Sequence, residues 1–143
     1  MLKILRLEQW AKNFVIFIPA VLAKNYEIFW DNLIYIIFVA FSLIVSSTYI
    51  YNDLTDLEQD RLHPQKKERP LPSGDLSKKS ATTLAVCISI IGFTAIYLVD
   101  KSIVLFAVAY VLITVSYSAK LKYIKYCDFI SITILFGIRL ILG

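Results

Sequence analysis

Apolar residues in this chain come in long unbroken runs. Residues 32–52 carry no charged side chain, nor do residues 80–99 or 102–119. Each run approaches the ~20 residues that an α-helix needs to cross a bilayer core of ~30 Å. The pattern predicts spans over about 33–51, 80–99 and 102–119. "FVIFIPAVLA", between Asn13 and Lys24, predicts an earlier span over about 14–30, kinked near Pro19, with Tyr26 and Trp30 as interfacial anchors. A last span over about 126–143 contains Asp128 and Arg139 and is the least apolar. All five are predicted helical, because backbone groups in lipid must pair within their own segment. Residues 1–13 mix Lys3, Arg6, Glu8 and Lys12 with Leu, Ile and Trp10, a pattern suited to a short interfacial helix. The expected fold is all-α: one membrane domain over 1–143, a polytopic transmembrane helical bundle with a polar loop at 52–79.

Composition agrees. The 143 residues are 58% hydrophobic, with a mean hydropathy of +0.67, well above a soluble domain. Two cysteines, Cys87 and Cys127, give neither a disulfide framework nor a metal cluster, and are expected as small buried hydrophobes. No signal-peptide cleavage site is visible at the N-terminus. Lys and Arg set the expected topology. If the spans are right, the N-terminus, the 52–79 loop and the 120–125 loop share one side and carry twelve of the 15 basic residues; the other side has only Lys24 and Lys101. By the positive-inside rule the N-terminus and the polar loop face the cytoplasm, across the cell (inner) membrane. The net charge of +4 is explained by these loops, so a nucleic-acid role is not expected. The chain ends at "LFGIRLILG", within or at the end of a span, and two readings stay open: a natural end, or a chain cut in mid-fold.

The candidate chemistry lies in "YNDLTDLEQDRLHPQKKERPLPSGDLS", residues 51–77. If the second span continues past the membrane as a helix, 100° per residue places Asn52, Asp53, Asp56 and Asp60 within an arc of about 100°, with Glu58 pointing away. Like charges on one helical face repel, and a divalent cation relieves that. Hard oxygen donors favour Mg²⁺ over zinc. Two readings remain open on spacing alone: a solvated acidic cap, or a metal–phosphate site. Arg61, Lys66, Lys67 and Arg69 follow at once, and such side chains bind phosphate oxygens. The positive-inside signal explains these bases equally well, but not the acids. Pro70, Pro72 and Gly74 then turn the chain, and Ser77 is placed to cap the next helix. His63 reads as a loop residue before Pro64. Arg139 reads as pairing internally or snorkelling.

At these residues the sequence resembles the UbiA superfamily of intramembrane prenyltransferases. "NDLTDLEQD" is similar to that family's NDxxDxxxD motif, "RPLPSGDLS" to the RPLxxGxIS-like segment after it, and "YSAKLK" (117–122) to its YSxxLK segment. "LEQWAKNFVIFIPAV", "DRLHPQKKERP" and "CDFISITILFGIRLILG" look like the decaprenyl-phosphate phosphoribosyltransferase branch. The resemblance implies half of a roughly nine-helix bundle, each span of ~20 residues. It implies Mg²⁺ as cofactor, held by Asn52, Asp53, Asp56 and Asp60, with the three aspartates as catalytic residues. Substrate would meet Asn52, Arg61, Lys66, Lys67 and Arg69, and also Lys12, Asn13, Tyr117, Lys122 and Asp128. The implied partners are phosphoribosyl diphosphate and a polyprenyl phosphate, with self-association left open. A prenyltransferase moving a prenyl group from prenyl diphosphate to an aromatic acceptor is the alternative. An inactive fragment or non-enzymatic membrane subunit is the second.

Overall fold

The computed structural model describes residues 2–30, 32–119 and 127–143. Lys122 lies outside them, as does the side chain of Asp128. All regular structure among the described residues is helical. A 3-10 helix over Leu2–Leu5 and another over Leu7–Phe17 lead into α1 (Ile18–Leu22) and a third 3-10 segment, Tyr26–Trp30. Then come α2 (Asn32–Thr55), α3 (Leu57–Leu62), a 3-10 turn at Lys66–Glu68, α4 (Lys78–Val99), α5 (Lys101–Ala119) and α6 (Cys127–Ile141). Helices α2, α4 and α5 are long and apolar enough to cross a membrane. The 15 residues of α6 reach about 22 Å, short of the ~30 Å core.

The stretch expected as a first span, 14–30, is three short helical pieces. Pro19, in the first turn of α1, has no N–H to extend the 3-10 helix before it and instead starts a new helix. Lys24 then takes a left-handed conformation (φ 54°), and the Asn25 N–H bonds the Ala20 carbonyl at 3.0 Å. That pair forms a helix-ending Schellman turn.

The segment expected to be an amphipathic interfacial helix packs lengthwise on α2. Three residues per turn put Trp10, Asn13 and Ile16 on one line. Trp10 Nε1 donates to Ser46 Oγ at 3.0 Å, and Asn13 Nδ2 donates to Ser42 Oγ at 2.8 Å. Ser42 and Ser46 are one turn apart on α2, so the two elements run antiparallel. Ser46 in turn donates to the Leu5 carbonyl at 2.7 Å.

Helix α2 is the hub. Its Ile34, Phe41, Ile44 and Val45 are buried with Ile96 of α4, Ala107 and Tyr110 of α5, and Ile138 of α6. Helices α2 and α4 approach closely at Gly92, where a Cβ would stand 2.7 Å from both the Ala40 carbonyl oxygen and Ile44 Cγ1. Small residues at such crossings let helices approach without an apolar driving force. The outer face of α4 would meet lipid, which is itself apolar. Cys87 accordingly lies exposed there and Cys127 is half-buried, in place of the burial expected for both.

A second cluster fixes the polar loop. Leu57 of α3 and Leu71 pack with Ile4, Ile50, Ala81 and Ile88. Gly74 takes φ 88°, a conformation costly for other residues, and the Leu76 N–H returns to the Pro70 carbonyl at 2.9 Å. The Ser77 hydroxyl accepts from the Ser80 N–H at 3.0 Å and caps α4. The connection from α4 to α5 is closed by Asp100, which accepts from the Ser102 N–H at 2.8 Å and its hydroxyl at 2.7 Å. These two donors hold the Asp100 carboxyl below its ordinary value.

Candidate substrate site

The backbone carries the acidic motif as a nearly continuous helix. Asp56 stands at the break between α2 and α3, yet its N–H bonds the Asn52 carbonyl at 2.9 Å and its own carbonyl accepts from Asp60 N–H at 2.8 Å. One helical turn therefore separates each acid from the next. With Leu57 anchored in the second apolar cluster, Asp53 and Asp60 flank it on the inward side. Both are 3% exposed; Asp56 is half-buried and Glu58 exposed.

Cations meet these acids. Arg69 Nη1 donates to Asp53 Oδ1 at 3.1 Å and to Asp60 Oδ2 at 2.8 Å, so two carboxylates converge on one nitrogen. Lys66 Nζ is 3.4 Å from Asp60 Oδ1. Arg6, from the N-terminal segment, also bonds Asp53 and lies over the Tyr49 ring at 5.0 Å. Arg6 takes a left-handed conformation (φ 49°) to reach it. Lys67 and Arg61 are exposed, and Arg61 pairs with Glu58 at 3.2 Å. His63 Nδ1 accepts from the Gln65 and Lys66 N–H groups at 3.2 and 3.3 Å. It shapes the loop that delivers Lys66.

Asn52 points elsewhere. It lines a cavity of about 230 Å³ with Lys12, Thr48, Tyr49 and, from α5, Tyr117 and Ser118. The C-terminal ends of α2 and α5 thus lie together around this space. One residue step on α2 turns 100°, and here it divides Asn52 at the cavity from Asp53 in the ion-pair cluster. The single arc expected for Asn52, Asp53, Asp56 and Asp60 is resolved into two faces. Asn13, expected as a substrate contact, is fully buried between α2 and α6: it bonds Ser42 and accepts from Arg139 Nε at 2.9 Å. Of the remaining candidates, Lys122 and the Asp128 side chain fall outside the described residues.

Sequence reasoning missed the partners Arg6 and Tyr110, Arg6 being hidden in an apparently interfacial stretch. Arg139, a lone cation in an apolar run expected to pair internally or snorkel, does pair internally, with Asn13, the Leu135 carbonyl and Tyr110.

Among the described residues, no three His, Cys, Asp or Glu side chains group closely enough to hold a metal ion. The donor set nonetheless suits Mg²⁺, which takes one or two carboxylates and completes its shell with water and phosphate oxygens. Asp53 and Asp60 already aim two hard oxygens at one point, where the Arg69 guanidinium stands.

The fold and motif define a class. The model of the UbiA prenyltransferase family matches residues 13–143, and the chain belongs to that family. With its long apolar helices, it is a multi-pass membrane protein. Three relatives sharpen the comparison. A Sinorhizobium fredii protein, "Uncharacterized protein y4nM", is 37% identical over 97% of this chain and 27% of its own length. The decaprenyl-phosphate phosphoribosyltransferase of Mycobacterium tuberculosis is 28% identical over 99% of this chain and 48% of its own. Nodulation protein NoeC of Azorhizobium caulinodans is 29% identical over 96% of this chain and 45% of its own. The chain spans about half the length, or less, of these curated relatives.

Proposed function

We propose that this chain supplies one wall of a membrane transferase that moves 5-phosphoribose from phosphoribosyl diphosphate to a polyprenyl phosphate, such as decaprenyl phosphate. The observation that carries this is the convergence of Asp53 and Asp60 on one cation position, held by Arg69 and flanked by Lys66 and Arg6. Similarity to a decaprenyl-phosphate phosphoribosyltransferase supports the choice of substrates. Mg²⁺ bound by Asp53 and Asp60, with Asn52 and Asp56 close by on the same helical stretch, would supply positive charge to the diphosphate.

In the transfer, an oxygen of the lipid phosphate bonds the anomeric carbon. The bond from that carbon to diphosphate breaks, and its electron pair leaves with diphosphate. The acceptor phosphate is already ionised, so no strong base is needed. The chain's task is to hold charge where it develops on the leaving group. Arg69 and Lys66 exchange their carboxylate partners for phosphate oxygens, and the exposed Arg61 and Lys67 guide the anion in. Asn52 offers its amide at the cavity mouth. The loop at 52–79 faces the cytoplasm of a cell membrane in this reading, as the distribution of Lys and Arg favours.

Membranes carrying the natural full-length protein, given labelled phosphoribosyl diphosphate and polyprenyl phosphate, should yield labelled lipid. Asp53→Asn should lower the rate ~100-fold or more. A second reading, prenyl transfer to an aromatic acceptor, draws on the family's own description and on Tyr49, Tyr110, Tyr117 and Phe136 around the cavity, whose ring faces suit an allylic cation. No labelled lipid, together with turnover of a prenyl diphosphate, would establish that reading instead. Unchanged transfer in Asp53→Asn would argue for a non-enzymatic role of this half.

A further inference from the structure

The cavity beside Asn52 has a floor as well as a mouth. Arg139 lies there, 4% exposed, on the same lining as Lys12. Its partner Asn13 sits deep along α2, bonded to Ser42 ten residues before Asn52, which is about 15 Å of helix. The guanidinium is held in place from several directions. Nε donates to Asn13 Oδ1 at 2.9 Å, Nη1 to the Leu135 carbonyl at 2.9 Å and Nη2 to the Tyr110 hydroxyl at 2.8 Å. Tyr110 is set edge-on against Phe41 at 4.9 Å, and Asn13 is fixed by Ser42, so neither partner is free to follow a wandering side chain.

Every one of these partners is neutral; the Tyr110 and Phe136 rings, each 5.1 Å from the guanidinium carbon, offset part of its charge but are no counter-ion. Among the described residues Arg139 has no carboxylate beside it, and none lines the cavity. The three bonds also use three of the five N–H donors of an arginine. A structural tie between α6 and the N-terminal segment needs hydrogen bonds, but it does not need a full positive charge, which is costly to bury without a counter-ion. The acidic motif presents the opposite case: there the chain matches charge with charge on the other face of α2.

We propose that the cavity floor at Arg139 is a second anion site, which takes a phosphate monoester, separate from the diphosphate site at Asp53 and Asp60. The fixed guanidinium offers two remaining N–H groups to phosphate oxygens, a geometry arginine favours. Tyr110 and Thr114 line the same space. Both substrates of the proposed transfer carry such a group, one as the lipid head and one at the far end of the ribose. The naming of those two sources rests on the transferase reading; the anion site itself does not.

The test uses natural full-length protein in nanodiscs. Binding of inorganic phosphate, ribose 5-phosphate and a short-chain polyprenyl phosphate is measured against Mg²⁺-pyrophosphate as control. Arg139→Gln should weaken at least one monoester about 10- to 100-fold, as loss of hydrogen bonds to a charged group does, and leave pyrophosphate unchanged. The monoester affected identifies the source. Equal weakening of all ligands, or a lowered unfolding temperature with no change in monoester binding, would overturn the site in favour of a structural tie. Should Arg139→Gln fail to fold, Arg139→Lys carries the test. With the charge kept, phosphate should still raise its unfolding temperature, and loss of that response would overturn the proposal. Arg139-dependent phosphate binding in a protein that makes no lipid-linked product would sink the proposed reaction and leave this site standing.

Discussion

Two faces of α2 treat buried charge in opposite ways. On one, Asp53 and Asp60 sit 3% exposed inside a mesh of Arg6, Arg69 and Lys66. On the other, Arg139 sits 4% exposed among an amide, a carbonyl and a phenol. The first is saturated by the chain's own ions and must give something up to bind a ligand. The second is fixed by three hydrogen bonds, with two N–H groups and the charge itself left unmatched. On the proposed readings, Mg²⁺-diphosphate and a phosphate monoester are directed to different depths of one bundle, although Asn52 and Asp53 are neighbours in sequence.

The comparison breaks most severely on the ionic face. Asp53→Asn leaves Arg6 facing a neutral group and Arg69 with Asp60 alone, and removing one partner of a buried ion pair costs about 3–5 kcal/mol. Unfolding of the purified protein should show that loss. A fall below about 1 kcal/mol would mean that water already screens the cluster. On the neutral face, Asn13→Leu strands both Arg139 Nε and the Ser42 hydroxyl, with an expected loss of about 2 kcal/mol in the same measurement. The surface pair Arg61–Glu58 is the control that sharpens both. Glu58 is 73% exposed in its side chain, and Glu58→Gln should change stability by less than about 0.5 kcal/mol.

The smallest effect is a pH dependence. Asp100 is held below its ordinary value of 3.8 by Ser102. Its contribution is therefore complete above pH 3.8 and fades as pH falls through the lower, folded-state value. Stability of wild-type protein and Asp100→Asn, followed from pH 7 downward, should run parallel until below about pH 4 and converge only there.

Much of this molecule is legible in its sequence. The charge-free runs became α2, α4 and α5 because uninterrupted apolar residues leave a chain in lipid no other way to pair its backbone. Ser77 capped α4 because the capping bond is local. The motif residues were found by spacing, but their allegiance was not. Whether Asn52 sides with Asp53 depends on where Leu57 and Leu71 dock, a matter of packing between distant segments. The partners of residues 1–13 are hidden for a similar reason. Lys3, Arg6 and Trp10 suit a membrane surface, yet Ser42 and Ser46 offer bonds that draw the segment along α2, and Arg6 follows it to Asp53. Arg139 was visible as an oddity, but its partners Asn13 and Tyr110 lie 126 and 29 residues away, beyond any local pattern.

The seat of Arg69 between two carboxylates has a consequence for how this protein is made. Acids left bare at a membrane boundary would have to wait for a cation before neighbouring helices could close over them. Here the polypeptide brings its own, Arg69, so its helices can close over the acids without a metal. On the proposed function, chelating agents should arrest turnover and leave the folded bundle in place, and nascent protein should mature equally well in cells starved of divalent ions.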